Sequence, residues 1–351
     1  MGTPAKIFEA LIAMSRVAQA DIATQSSDAN LVSFRKLNNQ LHMPQLMVED
    51  DRGEIGGGTE FAQNAYLSHW QSQDIPLEKY LTSEWAALCF AFCLGKVTTT
   101  TPAAGAFQHV ITPRDPATDG IELPYLTYSE RVRASTEAVH SYSHIGAVMK
   151  SLKLSLTSGV GRGAAKLTGT LMASGRFANP DGITSFPSVL AENALPAGSA
   201  TLTIIGESPI TLKTFKSIEL DFDNQVDQES AFYPGSGAQS NASVAGRMEY
   251  GDRAQALKAN IVVRVNKDST EFAKLLALTT GTMTLVVQGG LIVAGHNHSL
   301  TIVGQKVRYG SPIEVGETNK TLELRLPVEF MRHASNGTIT VTVKNAMATV
   351  G

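Results

Sequence analysis

Few groupings in this chain have the residue types that chemistry needs. Cys89 and Cys93 are its only cysteines, and on a helix their spacing puts both on one face. Zinc usually takes four protein ligands, and His109, the nearest histidine, adds only one more donor. Leu88, Phe90, Phe92 and Leu94 surround the pair, so the expectation is two reduced thiols packed as small apolar side chains. His296 and His298 would share one strand face, while His140 and His144 would meet only on a helix. Either pair needs further ligands to hold a metal, and the plainer expectation for both is partly exposed histidines near turns. Gly159, Gly161 and Ala164 spell G-x-G-x-x-A, but a dinucleotide site requires a helix to follow. Lys166 to Ser174 alternates instead, so the glycines are expected to turn a hairpin. There is no G-x-S-x-G, P-loop or HExxH. The expectation is a protein that is not an enzyme, with no catalytic residue, cofactor or metal to assign.

The acids form a more regular pattern. In FKSIELDFDNQVDQE, Phe215 to Glu229, Ile218, Leu220 and Phe222 point one way while Glu219, Asp221 and Asp223 point the other. A solvated outer face explains this. A second reading is a surface that repels polyanions moving past it, because like charge removes phosphate contacts. The counterpart positions Asn38 and Gln40 are polar and uncharged. Calcium is a further option for so many carboxylates, yet no EF-hand spacing is present.

Such a face needs a sheet beneath it, and alternation dominates the chain. Leu152, Leu154 and Leu156 interleave with Ser151, Lys153 and Ser155; Leu322 to Phe330 and Ile339 to Val343 repeat the pattern. Antiparallel sheet with one buried face follows, and Pro327 is expected to mark an edge or bulge. Two stretches break the pattern as helices: SEWAALCFAFCLG, Ser83 to Gly95, and TEFAKLLALTTG, Thr270 to Gly281. Glu84 aligns with Glu271, Trp85 with Phe272, Ala86 with Ala273 and Leu88 with Leu275. Thr82 or Ser83 caps one helix and Asp268 the other, with Gly95 and Gly281 as left-handed ends. Trp85, Leu88, Phe272 and Leu275 are therefore expected as matching core positions.

The match spreads outward in one order. Phe34 to Leu37 faces Phe215 to Ile218, Asp74 to Leu77 faces Asn260 to Val263, and Ile145-Gly146 with Met149 faces Val303-Gly304 with Val307. The expected organisation is an N-terminal arm (1–29, with a short helix near Ala5 to Gln19), a β unit (30–180), a Pro/Gly connector (181–210) and a second β unit (211–351), hence an internal duplication. One helix per small sheet leaves strand edges open to a neighbouring subunit. At 351 residues with 43% hydrophobic content and net charge −3, the chain can build a large core. It lacks the cationic excess of tight nucleic-acid or anionic-membrane binders. The N-terminal apolar stretch is cut short by Glu9 and Arg16, no run approaches the ~18 apolar residues of a membrane span, and a cytoplasmic site of synthesis is expected.

With these blocks in place, the sequence resembles the major tail tube proteins of long-tailed bacteriophages. The residues that carry the likeness are Gly56 to Asn64, Leu81 to Pro102, Ser143 to Gly159 with Leu167 to Phe177, and Lys216 to Asn224. The resemblance implies a mainly β fold, a β-sandwich or half-barrel with a flanking helix per unit. It also implies stacked rings whose inner sheets join around a lumen that passes DNA and a tape-measure protein. A tail terminator and distal tail proteins would be further partners, the virion tail the final location, and Glu219, Asp221 and Asp223 candidate lumen-facing acids. Two fused copies would close a ring as a trimer with pseudo-sixfold symmetry; six chains per ring is the rival. The alternative within the same structural class is a tail terminator, a contractile-tail inner tube or a secretion-tube subunit.

Overall fold

The computed structural model describes residues 7–37, 41–50, 65–71, 73–115, 117–134, 139–159, 161, 164–206, 210–211, 215–227, 230–250, 257–264, 271–318, 321–334 and 337–351. Early strands are β1 (Ile7–Ser15), β2 (Leu31–Arg35), β3 (Leu46–Asp50), β4 (Ala65–Trp70) and β5 (Asp74–Tyr80). Helix α1 (Ser83–Leu94) then precedes the hairpin β6 (Gly95–Ala103) and β7 (Ala106–Pro113). Next come β8 (Leu126–Ala134), the long β9 (Val139–Thr157), β10 (Ala165–Met172) and β11 (Arg176–Ala178). The second half opens with β12 (Thr201–Ile204), β13 (Ile210–Thr211) and β14 (Phe215–Asp223). Four two-residue strands, β15 (Val226–Asp227), β16 (Ala238–Gln239), β17 (Ala242–Ser243) and β18 (Glu249–Tyr250), form an excursion before β19 (Leu257–Arg264). Helix α2 (Glu271–Leu276) leads to β20 (Gly281–Val293), β21 (His296–Tyr309), β22 (Glu314–Thr318), β23 (Thr321–Phe330) and β24 (Ile339–Asn345).

The protein is mainly β, and its strands pair antiparallel almost throughout. A central sheet runs β5-β10-β9-β14-β19-β23-β22, and a cover sheet runs β6-β7-β24-β21-β20-β12-β13. An N-terminal sheet, β2-β1-β8-β9-β11, is joined to the central one because β9 belongs to both. The expected β9–β10 hairpin is present, with Lys166 opposite Ser155 and Leu167 opposite Leu154. The central and cover sheets both cross the boundary between the halves: β9 pairs with β14 in the central sheet, and β7 with β24 in the cover sheet. One hydrophobic core accordingly draws on both halves, from Phe34 and Trp85 to Ile302 and Val343.

Between the central and cover sheets lies α1, all of whose residues are buried. A helix that is apolar all round suits this position, enclosed on every side. The Thr82 hydroxyl accepts the Trp85 N–H as the N-cap, and Gly95 closes the helix at φ 89°, a left-handed conformation that costs glycine little. The partner helix differs: α2 is six residues, under two turns, Leu275 is half-buried and Leu276 is exposed. Its left-handed end is Leu278 at φ 50°, not Gly281. Gly281 instead lets the Ile205 backbone approach closely. Asp268 and the Phe272 side chain lie outside the described residues.

Three other expectations change. The arm has no helix over 7–15: it is strand β1, with Ala10, Ile12, Ala13 and Met14 buried. Flanked by β2 and β8 and covered on both faces, such a strand reads as a continuous apolar run that periodicity cannot tell from a helix. The connector ends as β12, whose Leu202 and Ile204 are core residues while Thr201 is exposed and Thr203 half-buried, an alternation only four residues long. Pro327 is on neither an edge nor a bulge. It sits where the partner of β23 changes from β21 to β22, and its carbonyl accepts the Gly310 N–H at 2.7 Å. At that break a missing N–H costs no ladder bond.

Candidate functional site

Glu219, Asp221 and Asp223 lie on the face of β14 opposite Ile218, Leu220 and Phe222, the latter three buried against the core and Phe222 edge-on to Phe90 of α1. The ladder decides what the acids meet. On one side Asp221 pairs with Lys153, on the other with Lys258. Lys153 Nζ is 2.8 Å from Glu219 and 3.8 Å from Asp221, and these acids and Asp223 raise no uniformly negative field. The same outward face continues the alternation with Lys166–Glu78 at 2.9 Å, Lys150–Asp74 at 2.7 Å, Arg308–Glu329 at 2.7 Å and Lys216–Glu323 at 2.8 Å. The acidic stripe is one strand wide and is flanked by cations. Exposed cross-strand pairs of this kind contribute little stability each, but they leave a polar face with its charges locally balanced. Asn38 and Gln40 lie outside the described residues. Lys153 was visible in SLKLSL; its pairing with β14 was not, since it joins residues more than sixty positions apart.

The two ends of this sheet, β5 and β22, each have one paired edge among the described residues. Val315 on β22 and Leu322 beside it are exposed. Open backbone edges next to apolar side chains are an invitation to strand addition by another chain.

The candidate chemical groups are used structurally. Cys89 and Cys93 are free and fully buried on α1. Burial first, then the neighbouring Cys93, pushes the Cys89 thiol well above its ordinary value, so the reactive thiolate is suppressed. His298 is buried rather than partly exposed, and it stands at the start of α1. Its Nδ1 shares a hydrogen bond of 2.8 Å with the Ser83 hydroxyl and lies 3.6 Å from Glu84 Oε1. This trio of residue types is not a relay. Serine and acid address the same ring nitrogen, whereas a relay needs them on opposite ones, and Ser83 is closed to solvent. His140 is exposed on β9, and His144, on the same strand, is buried. No cluster of three or more His, Cys, Asp or Glu able to hold a metal occurs among the described residues.

Two polar sites gave no signal in the sequence. His109 Nε2 faces two acceptors, Asn345 Oδ1 at 3.1 Å and the Met347 carbonyl at 3.0 Å, so it carries the proton. Nδ1 then accepts from the Thr99 hydroxyl at 2.9 Å. This neutral ring ties the β6–β7 hairpin to the end of β24. On β8, Glu130 is completely buried and takes Lys36 Nζ at 2.6 Å, His42 Nδ1 at 2.9 Å, the His42 N–H at 2.6 Å and the Tyr128 hydroxyl at 2.9 Å. His144 Nε2 donates to the His42 carbonyl at 2.7 Å. Together they fasten the segment after β2 to the N-terminal sheet.

Burial is the leading cause that lowers His109, His144 and His298 from the ordinary imidazole value of 6.5. Their folded-state values lie below the unfolded one, so below that value the unfolded chain binds more protons. Stability should be flat above about pH 7.5 and should fall as pH drops through 6.5 toward 5, before carboxylates titrate. Melting temperatures measured between pH 8 and 5 check this; a level profile would contradict it.

No helix among the described residues is long and apolar enough to cross a membrane. The chain matches no family model and no curated protein.

Proposed function

We propose that this chain is a structural subunit of a non-contractile phage tail tube. On this reading it assembles with itself into stacked rings that form the conduit for DNA and tape-measure protein, is capped by a tail terminator, is built in the host cytoplasm and ends in the virion tail. The observation that carries the proposal is the central sheet. Among the described residues it ends in two open edges, β5 and β22, and it opposes a buried apolar face to an outward face of paired charges. Open ends let neighbouring copies continue the sheet around a ring, and head-to-tail contacts along the axis stack such rings without limit. Locally neutralised charge gives a passing polyanion neither a cationic patch to bind nor a strong field to climb.

The proposed duplication has its own support. The order β2-β1-β8-β9-β11 in the first half parallels β13-β12-β20-β21-β24 in the second, antiparallel at every step. Likewise β5-β10-β9 parallels β19-β23-β21. The β8–β9 hairpin has its irregularity between Leu126 and Tyr128, and the first of three in the β20–β21 hairpin falls at the matching end, between Gly281 and Met283. On this reading the β6–β7 hairpin is an addition to the first half, laid against β24 of the second. Three chains would then close a ring with pseudo-sixfold symmetry.

Negative-stain microscopy of the purified protein should show hollow tubes or rings, and native mass of a ring should count three chains. Dispersed monomers at high concentration would overturn the proposal; six chains per ring would overturn only the trimer.

A further inference from the structure

Glu271 opens α2 and is buried, yet its Oε2 has no hydrogen-bond partner among the described residues. An unsatisfied buried carboxylate oxygen is costly and calls for a donor. The helix beyond it turns an apolar surface to solvent, with Leu276 70% and Leu278 63% exposed and Ala273 and Ala277 exposed beside them. Isolated exposed leucines are ordinary; a contiguous apolar helix end next to an orphaned carboxylate is not.

The first half shows how the same residues look when covered. Glu84, aligned with Glu271, accepts the Asn193 N–H at 2.8 Å and its side-chain amide at 2.9 Å, with His298 at 3.6 Å. Ala86, aligned with Ala273, is fully buried, and so is the rest of α1. Part of the cover comes from the other half: α1 packs against β9 of its own half and under β21 and β24, with β6 and β7 alongside. Within the N-terminal sheet, β9 and β11 occupy the positions that β21 and β24 hold in the cover sheet. When Gly146 is set on Gly304, His140 falls on His298. His140 is exposed, and it lies opposite Val132 on the same face as Tyr128, the face that looks inward.

We propose that the N-terminal sheet of a second copy of this chain docks on α2, brings that copy's His140 to Glu271 and covers Leu276 and Leu278. The occupant is a second copy because the missing elements have counterparts in this same chain, and because an exposed imidazole complements a carboxylate that lacks a donor. This rests on the duplicated-ring reading and names the residues of its contact.

Two variants test it. Leu276→Glu with Leu278→Glu changes only exposed positions, so circular dichroism and melting should match the wild type. The protein concentration needed for assembly should rise about tenfold or more, because charge placed in a desolvated contact removes it. Separately, Glu271→Cys with His140→Cys should give inter-chain disulfides in assembled protein on a non-reducing gel, while either single variant gives none; Cys89 and Cys93 are buried and do not compete. Wild-type assembly by the double-glutamate variant, or assembled protein without the cross-link, would overturn the contact and leave the ring proposal standing. A wild-type protein that forms no rings removes both.

Discussion

Replacing Trp85 with alanine will remove a large part of the protein's margin of stability, about 3–5 kcal/mol out of the ~5–15 typical of folded domains. The indole is fully buried at the start of α1. Its ring meets Phe34 edge-on at 5.3 Å, its Nε1–H reaches the Leu167 carbonyl at 3.4 Å, and Lys79 Nζ lies 5.7 Å from its centroid. These partners come from β2, β10 and β5, so the side chain joins the N-terminal sheet, the central sheet and the helix at one point. Neighbours fixed in two sheets cannot collapse into the cavity, which places the expected cost at the upper end for large-to-small changes. Urea unfolding should show a lower midpoint with an unchanged slope. Leu276→Ala, at a position exposed in the single chain, should shift stability by no more than about 0.5 kcal/mol in unassembled protein. A Trp85→Ala loss below about 1 kcal/mol would show that α1 is not the centre of the core.

Glu130→Gln should be comparably severe. Burial by itself would push this carboxyl up, but the His42 hydrogen bond and the Lys36 charge outweigh it and hold it at about 2, against an ordinary 4.5. The glutamine retains the shape and removes the charge that faces Lys36, whose side chain is 6% exposed. Breaking one side of a buried pair costs on the order of 3–5 kcal/mol. Adding Lys36→Met should recover part of that loss, and the coupling energy of the double-mutant cycle measures the pair. The pH dependence has a definite sign. Because the folded-state value lies below the unfolded one, the contribution is complete above about pH 4.5 and disappears as pH falls through about 2, roughly 3 kcal/mol in all. Glu130→Gln should flatten the stability profile in that window; an unchanged slope would mean that other carboxyls govern acid unfolding.

Local rules made much of this protein legible. Period-two alternation marked the faces of β9, β14, β23 and β24, because a strand buried on one side writes its environment into every second residue. Thr82 and Gly95 marked the ends of α1, because capping depends on residues within a turn of each other. The cysteines' apolar neighbours foretold their burial. Where both faces of a strand are covered, the rule fails: β1 carries no alternation to read. The alternation of β12, TLTI, spans only four residues, and an arm and a connector turn out to hold core strands.

What only the tertiary structure decided is which distant residues meet. The aligned helices differ in burial: all of α1 is enclosed, by β6, β7 and β9 of its own half and by β21 and β24 some two hundred residues later, whereas most of α2 is not, and the alignment compares only short-range features. The acids of β14 read as a negative face until Lys153 and Lys258 arrive from neighbouring strands. Glu130, Lys36 and His42 have nothing in their local sequence to announce one another. Sequence fixes backbone preference and the polarity of a face through neighbours a few residues away. Pairing, enclosure and the charge a group finally feels depend on sheet registers set across the whole chain.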